Sequence, residues 1–482
     1  MERTDSLDAV FDPASVAIAG VASTQEGLSS PGQRYVDYLL QYGFKGKIYP
    51  LHPKGGEFCG LPVYANIKEV PGPVDQLISC IPAARVKELI TDCAARGVKA
   101  VVLHTAGFSE TGREEGRQLE AEVVRLAQAG SMRLVGPNCM GAYHPKAGLS
   151  IGYDLPCEGG RMALICQSGS NAIFLIRAAA ERGVRFSKVI SYGNACDIDE
   201  SDLMEYFVQD SETDMVAAYI EGVKDGRRFR EVIHKLSAVK PVVVLKAGCG
   251  TAGQRAAASH TGSLAGSDTA WNAILSQANV IRVYSLNELV DMMVALQFMR
   301  APQGNRVVIL GVGGGVSVLA TDECSAAGFV VPPLPPEIKQ ELSRAIASDA
   351  GAMLSNPIDF PFWLSGEEKY REILRSLLEW EGIDLFLFLA PLRHTELELA
   401  TYLPILDYQL NNIIKVAAGS SKPMAVVIDY LATGESWLAA SGVQRRCYEA
   451  GLPVYHSTAS AFKAVARLCR YRRSAQNYAM DG

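Results

Sequence analysis

Short apolar runs that end in glycine or small polar residues, each followed by a helix-length stretch, recur along the whole chain. In the first third, Val16–Ala19, Lys47–Tyr49, Gln76–Ile81, Ala100–Leu103 and Arg133–Val135 read as strands, with a helix around Gln33–Tyr42 after the first. A second set comprises Met162–Cys166, Val189–Tyr192, Met215–Ile220 and Pro241–Leu245, with helices over Asp199–Gln209 and from Thr269 onward. A third comprises Val307–Leu310, Asp384–Leu389 and Met424–Ile428. Strands alternating with helices predict an α/β chain of parallel sheets whose ligands sit at the strand C-terminal ends. The 482 residues exceed one ordinary core and divide into units at about 8–147, 155–300 and 303–472, the last boundary marked by Ala301–Gly304. Ser355–Asp359 reads as an ordered turn, and the polar tail Arg470–Gly482 is expected to fray.

Composition narrows the function classes. Apolar residues make up 48% and charged residues 20%, as in ordinary globular proteins. A net charge of -6, with no basic run interleaved with aromatics, argues against nucleic acid as a partner. The longest apolar runs, such as Leu385–Pro391, are far short of a membrane span, and MERTDSLDAVF has no apolar core of a signal peptide. Eleven scattered cysteines without a CxxC pair suggest reduced thiols, no metal site and a cytoplasmic location.

Candidate chemistry concentrates in Lys246–Asp268. His260 stands there among Ser259, Thr261, Gly262 and Ser263, on a loop of small residues expected to form no helix or strand of its own. Long loops inside compact domains are usually functional, and imidazole is a competent nucleophile near neutral pH. Gln167, Ser168, Gly169 and Ser170 open a helix after a strand, a phosphate site through free amides, although serine there also serves as an ordinary cap. Glu221 follows a buried strand, where it can accept Nδ1–H from an imidazole and fix its tautomer. The turn Gly20–Ser23 and the loops Pro50–Lys54, Ile81–Ala83 and Thr105–Phe108 all follow strands and together can line a nucleotide-shaped crevice. Gly311–Gly315 is a second glycine turn, which suits either an anion or close helix–sheet packing.

In chain order, YPLHPK (Tyr49–Lys54), HTAGFSETG (His104–Gly112), GPNCMG (Gly136–Gly141), CQSGS (Cys166–Ser170), SYGNACDIDESDLMEY (Ser191–Tyr206), YIEGVKDGRRF (Tyr219–Phe229), the His260 segment, GGG (Gly313–Gly315) and SNPIDF (Ser355–Phe360) resemble the α part of the NDP-forming acyl-CoA synthetases, which include succinyl-CoA synthetase. The third unit makes the chain most similar to the ADP-forming acetyl-CoA synthetase branch. The resemblance implies a Rossmann-like CoA-binding domain followed by two flavodoxin-like domains of the succinyl-CoA synthetase type. It implies CoA contacts at Gly20, Ala22, Ser23, Pro50, Lys54, Ile81, Pro82, Ala106, Gly107 and Asn138. It further implies phosphorylation of His260, contact from Glu221, and a phosphoryl group held at Gln167–Ser170. No ATP-grasp segment is recognisable, so the resemblance implies a separate ATP-grasp β subunit in an α2β2 assembly that carries most of the ATP/ADP and Mg site. The implied reaction joins a small carboxylic acid to CoA at the expense of ATP. A non-catalytic CoA-binding protein, or an acyl or carbamoyl transferase on the same scaffold, is the alternative.

Overall fold

The computed structural model describes residues 7–21, 29–255, 267–311, 313–345, 353–359, 366–392, 396–430 and 433–481. The chain divides into two compact units, Met1–Ala180 with Arg185–Leu289, and Glu181–Val184 with Val290–Gly482.

The first unit holds two main sheets. The strands of its N-terminal part are β1 (Ser15–Ala19), β2 (Lys47–Leu51), the hairpin β3 (Gly56–Phe58) and β4 (Leu61–Val63), then β5 (Gln76–Ser79), β6 (Ala100–Leu103) and β7 (Arg133–Val135). The first sheet runs β2-β1-β5-β6-β7, all parallel. Next come β8 (Gly141–Tyr143), β9 (Met162–Cys166), β10 (Phe186–Ser191), β11 (Met215–Ile220), β12 (Val242–Lys246) and β13 (Ile281–Val283), paired as β13-β12-β11-β9-β10-β8. Strand β8, which follows the GPNCMG segment, joins this second sheet as its antiparallel edge. Every residue of β1, β9, β10 and β12 is buried, as strands covered on both faces should be. A single apolar cluster runs from Phe11, Val36 and Val102 to Ile165, Phe207 and Trp271, so the two sheets share one core.

The second unit contains β14 (Val307–Gly311), β15 (Met353–Leu354), β16 (Ile358–Asp359), β17 (Leu385–Leu392), β18 (Met424–Tyr430) and β19 (Val454–Tyr455), ordered β15-β16-β14-β17-β18-β19. Only β15 is antiparallel. Of the expected turn at Ser355–Asp359, residues 355–357 lie between the two short strands β15 and β16, and Ile358–Asp359 form β16 itself. Asn356 holds it there: its Nδ2 donates to the carbonyls of Val307 (2.8 Å) and Pro332 (3.0 Å), and its Oδ1 accepts from Ile309 N (3.1 Å). The tail is a correction to the sequence reading. Arg470 onward forms the last turns of helix Thr458–Asp481, which is anchored by buried Ala461, Ala464, Val465 and Leu468 at helical spacing.

Counted over parallel strands in chain order, all three sheets read 2-1-3-4-5. The strand order reverses beside the first strand each time, so each sheet opens a crevice between the carboxyl ends of its first and third parallel strands. No helix among the described residues is long and apolar enough to cross a membrane.

Candidate active site

In the first sheet the reversal lies between β1 and β5, and a cleft of about 370 Å³ opens there. Gly20 forms its floor with φ +99°, and a Cβ on it would meet the Cys80 carbonyl oxygen at 2.8 Å, so only glycine fits. Helix Pro31–Gln41 then starts under a reciprocal cap, Gln33 N to Ser30 Oγ (3.2 Å) and Ser30 N to Gln33 Oε1 (2.9 Å). Of the residues expected to contact CoA, Gly20, Ile81 and Pro82 line the cleft. Pro50 precedes the lining residue Leu51, and Lys54 follows the lining residue Pro53. Ala22 and Ser23 lie outside the described residues. Ala106, Gly107 and Asn138 are not among the lining residues.

The Gly107 amide is committed elsewhere: it donates to Glu110 Oε1 (2.5 Å), as does Phe108 N (3.1 Å), while Asn194 Nδ2 donates to Glu110 Oε2 (2.7 Å). Burial by itself would raise the Glu110 pKa, but these donors outweigh it and hold the carboxyl below its usual range. The sequence reading missed Asn194 and Glu110, and also Arg85, Glu88 and Asp92 on the cleft wall. The last three recur at helical spacing in Ala83–Ala95, a signal that acquires meaning only once Ile81–Pro82 is placed at the cleft.

In the second sheet the reversal lies between β9 and β11, and it brings together two of the expected site elements. The Gln167 side-chain oxygen accepts from the backbone amides of Glu221 (2.7 Å) and Gly222 (3.3 Å), while Gln167 N donates to the Tyr219 carbonyl (3.0 Å). Gln167 and Glu221 are both buried, and Tyr219 OH donates to Glu221 Oε1 (3.2 Å). Helix Gly169–Glu181 begins beside them. Its Asn171 amide donates to Ser168 Oγ (3.4 Å), Ser168 and Ser170 share a hydroxyl contact (3.2 Å), and Ser170 is exposed. Gly169 carries no side chain because Met140 Cγ lies 2.5 Å from where its Cβ would be. The arrangement is a helix N-terminus with a carboxylate beside it: free amides for an anion, and a charge to orient a cationic ring. Cys166, directly beneath, has its thiol pushed up to about 12 by burial, so it remains a packing residue.

Strand β12 ends in Lys246, which is buried, donates to the Ala247 carbonyl and lies 5.3 Å over the Trp271 ring. Burial lowers its pKa. The segment that follows differs from expectation in one respect: residues 251–255 are helical, because Ala252, Gln254 and Arg255 have high intrinsic helix propensity. His260 itself lies outside the described residues, as does all of 256–266.

Comparisons with known proteins bear on the fold and the family of the chain. Residues 14–145 match the family described as CoA binding domain, and 159–296 match the succinyl-CoA ligase like flavodoxin domain. The chain is 38% identical, over 381 residues, to the α subunit of acetate–CoA ligase (ADP-forming) II from Pyrococcus furiosus, covering 79% of this chain and 81% of that one. It is 32% identical over 474 residues to a trans-feruloyl-CoA synthase from an unknown prokaryotic organism, covering 96% of this chain and 64% of that longer one. Among solved structures, the dinucleotide-forming acetyl-coenzyme A synthetase 1 of Ca. Korarchaeum cryptofilum, in complex with phosphate and ADP, superposes with a TM-score of 0.79 at 32% identity over 98% of both chains. On the fold, the paired crevices of the first unit and these similarities, the chain belongs to the ADP-forming acyl-CoA synthetase family, among its α-type chains.

Proposed function

We propose that this chain is the α subunit of an ADP-forming acid–CoA ligase working through a phosphohistidine at His260. The observation that carries the reading is the union of Gln167, Glu221 and the helix start at Gly169 at one sheet's reversal point, in the same unit as the cleft at Gly20. In this reading the cleft takes CoA and the three parts of the chain are a CoA-binding domain, a phosphohistidine domain and a second flavodoxin-like domain. Phosphate passes from ATP to His260 on a separate ATP-grasp chain, which supplies the nucleotide and Mg site in an α2β2 assembly. The length of the feruloyl-CoA synthase relative beyond its match to this chain supports a second functional part outside these 482 residues.

Glu221 accepts Nδ1–H of the imidazole, so the other nitrogen attacks and the positive charge that develops is compensated. The amides of the Gly169 helix start hold the phosphoryl oxygens. A carboxylate then takes the phosphoryl group as an acyl phosphate, and the CoA thiol displaces phosphate to leave acyl-CoA. The relatives are acetate and ferulate ligases by name, so the acid belongs to the small carboxylic acids, with aromatic ones included. Eleven unpaired thiols fit a reducing cytoplasm.

The test is transfer of label from γ-labelled ATP to the chain in the assembled enzyme. Acid-labile, base-stable label should appear on the wild type and be absent from His260→Ala. Glu221→Gln should be labelled about 100-fold more slowly, a typical magnitude for one lost charge-stabilising group. Undiminished ligase turnover in His260→Ala would refute the reading.

A further inference from the structure

Between the two crevices of the first unit lies a hydrogen-bonded pair that neither site has used so far. One residue beyond the register Ala19↔Ser79↔Leu103 stand Gly20, Cys80 and His104, at the carboxyl ends of three neighbouring strands. Gly20 and Cys80 line the cleft assigned to CoA. Tyr35, buried on helix Pro31–Gln41, meets the His104 ring edge-on with centroids 5.5 Å apart. His104 Nδ1 lies 3.1 Å from the Cys139 carbonyl oxygen and 3.3 Å from the Tyr35 hydroxyl oxygen. Tyr35 OH donates in turn to the Met140 carbonyl (2.9 Å). Met140 belongs to the other crevice as well: its amide donates to Ser191 Oγ (3.1 Å), and its side chain fills the space beside Gly169. The pair therefore stands between the CoA cleft and the phosphate cradle.

The hydrogen bonds settle the tautomer. A carbonyl oxygen only accepts, so Nδ1 carries the ring proton, and the Tyr35 oxygen, whose own proton goes to Met140, accepts from it too. The lone pair is then on Nε2, which makes no hydrogen bond among the described residues. Burial lowers the ring's pKa, opposed by the bond to the Cys139 carbonyl and aided by the Arg34 charge, so the imidazole is neutral at physiological pH. The other titratable groups facing it stay neutral: Tyr35 is raised well above its usual value, and burial pushes the thiols of Cys80 and Cys139 up to about 12.

We propose that His104 Nε2 is the general base for the CoA thiol in the last step of the reaction. The thiol proton passes to Nε2, the sulfur forms the new bond to the acyl carbon, and the acyl carbon–oxygen bond breaks with its electron pair going to the departing phosphate. The imidazolium then protonates that phosphate, so acyl phosphate and thiol become thioester and hydrogen phosphate with the ring restored. A positioned base of this kind contributes roughly 100-fold or more.

The proposal rests on the acyl-phosphate reading above, and two half-reactions keep them apart. In the assembled enzyme, label transfer from ATP reports the phosphohistidine step, and acyl-CoA formation from supplied acetyl phosphate and CoA reports the thiol step. His104→Asn is the informative variant, because its amide N–H replaces Nδ1–H toward Cys139 and only the basic nitrogen disappears. It should be labelled at the wild-type rate yet form acyl-CoA about 100-fold more slowly. The wild-type thiol step should also rise with pH through a pKa below that of ordinary histidine, a limb missing from the variant. A His104→Asn enzyme within 3-fold of wild type in the thiol step, or one slowed equally in both half-reactions, overturns the proposal. Wild type that forms acyl-CoA without ever taking label defeats the phosphohistidine reading instead.

Discussion

Glu200 is the residue at which burial and charge conflict most openly. It opens helix Glu200–Gln209, is 1% exposed, and its Oε1 has no hydrogen-bond partner. Burial, reinforced by Asp199, raises its pKa to about 8. In the unfolded chain the same carboxyl ionises near its ordinary 4.5, so between that pH and about 8 the unfolded state alone gains the charge. Glu200 therefore subtracts stability increasingly as pH rises through this window and subtracts nothing below it. Glu200→Gln should melt higher than wild type at pH 8 and equal to it at pH 4, and thermal scans across that range check the sign. Nothing in the sequence around Glu200 sets it apart from its acidic neighbours Asp197, Asp199 and Asp202. By contrast Glu221, alone after an apolar strand, stood out in the sequence as a candidate, and the fold sets Gln167 against it. The Tyr35–His104 pair was not, because 69 positions separate its members and only the fold brings them together.

Elements depend on the same logic of local caps and distant partners. Helix Glu200–Gln209 is capped within itself, Asp199 Oδ1 accepting from the amides of Ser201 (2.9 Å) and Asp202 (2.9 Å). Its attachment to the first sheet is a tertiary matter. Arg133, on β7, donates to Asp197 (2.9 Å) and Asp202 (3.0 Å), with all three side chains largely buried. Removing Arg133 takes the cation from Asp197 while Asp202 keeps Arg228 (2.6 Å), and breaking a buried pair on one side typically costs about 3–5 kcal/mol. Arg133→Ala should accordingly lower the unfolding free energy of the first unit, read from denaturant titration, by that order, with hydrogen exchange in β14, β17 and β18 unchanged. Equal loss of protection in those second-unit strands would show that the bridge does not act locally. Strands β1, β9, β12 and β14 were predicted almost to the residue because apolar runs of four to six residues bounded by glycine or polar residues have few other uses. Strand β8 was not: three residues at an edge carry too little periodicity.

At the scale of the molecule, the similarity to α-type ligase chains and the cleft at Gly20 lead to a division of labour. The chain by itself should bind CoA, measurable by calorimetry, and should take no label from ATP. Label should appear only when the ATP-grasp chain is added. Labelling of the isolated chain would place a nucleotide site within these residues and remove the need for a partner.

The amino-acid sequence by itself determined the α/β class, the chain order of the strands, the glycine turns and the identity of the chemical groups, because backbone sterics and burial periodicity act over a few residues. Only the tertiary structure decided which turns share a crevice, because that follows from strand order, and a 2-1-3-4-5 sheet sets Gln167 against Glu221 and His104 in the row of Gly20 and Cys80. Hydrogen bonds made across those distances then chose which polar atoms are engaged within the protein, as at Gly107, and which nitrogen of His104 is left basic.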